Sequence, residues 1–99
     1  MPGQKPETIQ TLHPVPGKTN KKIDLAKYEC IKKEMLQVLE KDEPTHTELM
    51  ETLFARIGDV FEGNVQWYGE TVKLDLEARG ILERTKTKPE RYRLVSAGK

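Results

Sequence analysis

The sequence predicts an α+β fold, mainly helical, from three observations. Apolar residues recur at three- and four-residue spacings in three successive stretches, as amphipathic helices require. The third stretch ends at Gly80, and glycine enters the left-handed conformation without a Cβ penalty. Beyond it, Ile81-Leu82 and Arg91-Tyr92-Arg93-Leu94 read as short strands joined through a basic turn that holds Pro89. A three-helix core closed by a two-stranded β wing is a winged helix-turn-helix.

In chain order, residues 1–22 form an N-terminal arm rich in Pro, Gly, Lys and Thr, extended or flexible. If it lies on the domain, Ile9, Leu12 and Val15 are its anchors. The domain proper spans 23–95, with a short tail at 96–99. Its first helix begins near Ile23 or Asp24 and carries the stripe Tyr28, Ile31, Met35, Val38 and Leu39. Pro44 stops any continuation, since it lacks the required N–H. The second helix runs from about His46 to Phe61, opened by a capping box of Thr45 and Glu48. Leu49, Leu53, Ile57, Val60 and Phe61 form its stripe, widened by Met50 and Phe54, and Gly58 marks either close helix packing or fraying. A short turn then leads to the third helix, capped by Asn64.

The third helix has two apolar sides on a wheel of about 100° per residue. Val65, Tyr68, Gly69, Val72 and Leu76 make one; Trp67, Thr71, Leu74 and Ala78 make the other. Gln66, Glu70, Lys73 and Glu77 form its polar face, and Asp75 and Arg79 are spaced to pair. The second apolar side needs a cover: the arm, a second copy of the chain, or another protein.

Composition bounds the function. The 99 residues make one domain, 35% hydrophobic and 33% charged, with a small core and a charged surface. A net charge of +1 gives no overall pull towards nucleic acid or acidic lipid, so any basic patch is local. The single cysteine, Cys30, allows neither an internal disulfide nor a cysteine-rich zinc site. No run of about 18 apolar residues exists, and the first residues lack the apolar core of a signal peptide; a cytoplasmic protein without membrane contact is expected.

These residues also carry a resemblance. Trp67-Tyr68 and Val72-Lys73-Leu74-Asp75-Leu76-Glu77-Ala78-Arg79-Gly80, with Pro14-Val15-Pro16-Gly17-Lys18 and Lys27-Tyr28-Glu29 upstream, resemble an uncharacterised bacterial family of small proteins, a domain of unknown function. The Leu-Glu-Ala-Arg-Gly run is also similar to the end of the recognition helix in winged-helix regulators. The resemblance implies a winged helix and carries over no assigned activity.

Catalytic chemistry finds no foothold. His13 and His46 are far apart in sequence, Cys30 has no base beside it, and no His, Cys, Asp or Glu cluster has metal-ligand spacing. No enzyme, cofactor or metal is expected. Two non-catalytic roles remain. As a transcription regulator-like protein, the chain would bind double-stranded DNA through Arg84, Lys86, Lys88, Arg91 and Arg93 of the wing, Gln66 and Lys73 of the third helix, and Lys21 and Lys22 of the arm. Against this stand Glu70, Asp75 and Glu77 on the third helix, where a sequence reader is normally basic. As an interaction module, it would use Trp67 and Leu74 as an apolar patch for a second copy or another protein.

Overall fold

The computed structural model describes residues 7–95; residues 1–6 of the arm and the tail at 96–99 lie outside them. Three helices, α1 (Leu25–Lys41), α2 (His46–Ile57) and α3 (Val65–Ala78), follow strands β1 (Thr8–Gln10) and β2 (Lys22–Asp24) and precede β3 (Leu82–Arg84) and β4 (Tyr92–Leu94). Each strand pair forms a two-stranded antiparallel sheet. The architecture is α+β and compatible with a winged-helix-like layout. The wing extends towards the chain between α1 and α2: Thr45 bridges Arg91, and the Tyr92 amide donates to the Pro44 carbonyl at 2.9 Å.

Local chemistry explains the element ends. The Thr45 hydroxyl accepts from the Glu48 amide while the Glu48 carboxylate accepts from the Thr45 amide, completing the capping box. The Asn64 side chain accepts from the Trp67 amide at 2.9 Å. Gly80 has φ +77°, and the Ile81 amide donates back to the Leu76 carbonyl at 2.9 Å, closing α3 before the wing. Gly80→Ala should therefore cost about 1 kcal/mol in chemical denaturation, from left-handed strain rather than a clash, since no atom beyond its chain neighbours lies within 4 Å of the added Cβ.

The core joins Tyr28, Ile31, Met35, Val38 and Leu39 of α1 to Leu49, Met50, Leu53 and Ile57 of α2 and Val65, Val72 and Leu76 of α3, with Ile23 from β2 and Leu82 and Tyr92 from the wing strands. The predicted second helix is too long. It stops at Ile57, which leaves Val60 beyond its end and 78% exposed, while Phe61 is half-buried; Phe54, within the helix, lies outside the core stripe at 60% exposed. Gly58 is the C-cap of α2; the close helix contact lies instead at Gly69, where an added Cβ would meet Met50 Sδ at 2.8 Å and Leu53 Cδ1 at 3.3 Å.

The arm is extended and closes a hairpin on the residues just ahead of α1, so Ile23 and Asp24 are strand and the first helix begins at Leu25. Thr8, Ile9 and Gln10 lie opposite Asp24, Ile23 and Lys22. Of the three expected anchors, Ile9 is half-buried, whereas Leu12 and Val15 are exposed. Polar groups supply the attachment instead: Thr11 is buried, and Asn20 Nδ2 donates to the carbonyls of Leu12 at 2.9 Å and of Thr71 in α3 at 3.0 Å.

Candidate nucleic-acid interface

The two hairpins grip α3 from opposite flanks. At about 100° per residue, Thr71 and Asp75 lie roughly opposite Lys73 and Glu77 around the helix. The arm holds the first pair and the wing holds the second.

Asp75 is the node on the arm side. Its fully buried carboxylate accepts from the Leu12 amide at 2.8 Å, the Tyr28 hydroxyl at 2.6 Å and Arg79 Nε at 2.8 Å. One side chain thus ties the arm, α1 and the end of α3 together. Burial, reinforced by the adjacent Asp75 carboxylate, pushes the Tyr28 phenol up to about 12.

Lys73 is the node on the wing side, which corrects its placement on an exposed polar face. It is only 3% exposed. Its Nζ lies 4.3 Å from the centre of the Tyr92 ring and donates to the Tyr92 hydroxyl at 3.1 Å. In this position it has no reach to a base edge. The wheel treated its charge as a guide to solvent, but its long apolar stem is covered by the wing. His46 sits near it, and burial followed by the Lys73 charge lowers the imidazole's pKa.

The wing arginines each carry a carboxylate. Arg84 Nε lies 2.6 Å from Glu77 and its Nη1 3.3 Å from Glu90; Arg93 Nε lies 2.6 Å from Glu83; Arg91 Nη1 lies 3.4 Å from Glu48 and donates to the Glu43 carbonyl at 2.8 Å. A phosphate approaching any of them meets a negative charge already in place. By contrast, Lys86 and Lys88 at the wing turn, and Lys18, Lys21 and Lys22 on the arm, are exposed and form no ion pair with a described carboxylate.

Between the flanks, Gln66, Trp67 and Glu70 are exposed. Trp67 is 43% exposed and stands edge-on to Tyr68, with ring centroids 4.8 Å apart. Leu74 is half-buried. Two grooves flank this ridge and share Trp67 and Glu70. One, of about 370 Å³, faces α2 and includes His46 and Gln66. The other, of about 590 Å³, lies against the arm loop and includes Lys18, Lys21 and Leu74. The sequence marked Trp67 and Leu74 but did not link them to Lys18 and Lys21, because the hairpin that brings the loop over α3 was not read. Among the described residues, no three His, Cys, Asp or Glu side chains are grouped to hold a metal ion, and no helix is long and apolar enough to cross a membrane.

A protein-family model described as a family of unknown function, DUF6958, matches residues 8–92. The chain belongs to that family. The match takes in the arm hairpin, all three helices and the wing as far as Tyr92, so the Asp75 and Lys73 nodes both fall within the DUF6958 region. Neither the curated proteins nor the solved structures provide a match.

Proposed function

We propose that the chain is a winged-helix nucleic-acid-binding protein whose contacts are made by lysines rather than by the wing arginines. The observation behind this reading is the placement of Lys86 and Lys88 on one hairpin and Lys18, Lys21 and Lys22 on the other, exposed and without carboxylate partners among the described residues, on elements that flank α3. Phosphate neutralisation by such lysines releases counterions and is independent of sequence. The acidic Glu70 and the internal position of Lys73 leave Gln66 as the remaining predicted helix contact, so duplex binding through this surface would be weakly sequence-specific.

Fluorescence anisotropy with labelled duplex DNA at ~50 mM salt tests it. Lys86→Ala with Lys88→Ala should weaken binding similarly on unrelated sequences and flatten the log–log salt slope by about 1.8. No binding to any nucleic acid at that salt would end the proposal. The exposure of Trp67, Phe54 and Val60 favours a second reading, a protein-interaction module. On that reading Trp67→Ala changes the sedimentation behaviour or loses a partner while the fold persists, and nucleic acid has no effect.

A further inference from the structure

The arm-side groove has a composition that the wing lacks. Its α3 wall presents Trp67, Leu74 and the Glu70 carboxylate; its arm wall presents Lys18 and Lys21. Resting on the nucleic-acid reading above, we propose that this groove binds single-stranded nucleic acid, with a base stacked on Trp67 and the backbone running along the arm lysines.

Three features support this assignment. First, the cavity of about 590 Å³ places a partly exposed indole opposite exposed cations, the combination that sequence-tolerant single-strand sites use: stacking for the base and ammonium groups for the phosphates. A duplex keeps its bases stacked on each other and has no ring face to offer Trp67. Second, the two walls differ in charge. Glu70 repels phosphate and accepts hydrogen bonds from base N–H groups, so it turns the bases towards α3 and the backbone towards the arm. An acidic peptide would present carboxylates to both walls and be opposed by Glu70. Third, the groove is built before any ligand arrives. Asn20 ties the arm loop to α3 through the Thr71 carbonyl, and its Oδ1 accepts from the Lys21 amide at 2.9 Å. His13 Nδ1 accepts from the Val15 amide at 3.0 Å, Gly17 turns the loop at φ +85°, and the Lys18 amide donates to the Val15 carbonyl at 3.2 Å. A wall fixed in this way loses little freedom on binding.

Trp67 is the single tryptophan, so intrinsic fluorescence reports on the site directly. The full chain is titrated at ~50 mM salt with a thymine oligonucleotide of about fifteen nucleotides, a duplex of equal length and polyglutamate. The oligonucleotide should quench Trp67, and the duplex and polyglutamate should not. Lys18→Ala with Lys21→Ala should keep the far-ultraviolet circular dichroism and flatten the salt slope for the oligonucleotide by about 1.4. Trp67→Ala, followed by anisotropy of a labelled oligonucleotide, should weaken binding about fivefold or more. Duplex binding that depends on Lys86 and Lys88, with no quenching by the single strand, would overturn this groove's assignment and leave the broader reading standing. Equal quenching by polyglutamate would overturn base stacking. Absence of binding to both nucleic acids would overturn both.

Discussion

Asp75→Ala is expected to be among the most damaging single substitutions in this chain, lowering stability by about 2–4 kcal/mol. The carboxylate is fully buried and is the shared acceptor for the Leu12 amide, the Tyr28 hydroxyl and Arg79 Nε. Removing it strands the phenol inside the core and frees the arm from α3. Arg79 is partly solvated and recovers water, which keeps the loss below the upper range for a broken buried ion pair. In a domain of this size the midpoint of thermal unfolding should fall by roughly 10 °C or more. An alkaline titration examines the same node. An unfolded tyrosine loses its proton near 10, whereas Tyr28 holds it to about 12. Between those values the folded state binds more protons, so stability falls as pH rises. The contribution is about 2–3 kcal/mol, fully present below pH 10 and lost by about pH 12. Tyr28→Phe should flatten that part of the stability curve relative to wild type.

Gly69→Val should have a comparable effect for a different reason. Gly69 is buried where α3 crosses α2, and a single added Cβ already meets Met50 Sδ at 2.8 Å and Leu53 Cδ1 at 3.3 Å. Valine adds two further methyl groups against the fully buried Leu53, forcing the helices apart at a cost of about 2–4 kcal/mol. Gly69→Ala separates crowding from helix propensity. Its one methyl displaces mainly the flexible end of Met50, and alanine favours the helix by about 1 kcal/mol over glycine. Urea denaturation of the two variants should show a large loss for valine and a change within about 1 kcal/mol for alanine.

The sequence expressed the elements whose signals are local. Thr45 with Glu48, Asn64 ahead of Val65, and Gly80 followed by Ile81-Leu82 are capping and stop signals that act within a few residues, and the structure uses each of them. The α1 stripe was legible because all five of its apolar residues face one core. The arm hairpin was not: β1 and β2 are three residues long, each with one apolar residue, and eleven residues separate them. Nothing in so short an alternation distinguishes a strand from a tail. Val60 was assigned to the core by continuing a period past the point where α2 stops, whereas Phe54 lies within α2 on its exposed face.

The candidate site was half legible for a related reason. The basic residues of the wing were visible as residues, but the pairing of Arg84, Arg91 and Arg93 with Glu77, Glu48 and Glu83 depends on which elements the fold brings together. Lys73 looked like a surface cation and lies beneath the wing, against Tyr92. The groove at Trp67 exists only because Asn20 and Asp75 hold the arm loop beside α3. What could not be read was the meeting of segments distant in sequence.

The central claim is that the arm is a fixed wall of the domain, held on α3 by Asp75. Hydrogen exchange at the Leu12 amide, followed by nuclear magnetic resonance, tests it most directly, because that N–H donates to the buried carboxylate although its own side chain is exposed. Docking predicts exchange as slow as that of the α3 core amides, and acceleration in Asp75→Ala. Exchange at the rate of an unstructured peptide in the wild-type chain would contradict the account and remove the groove with it.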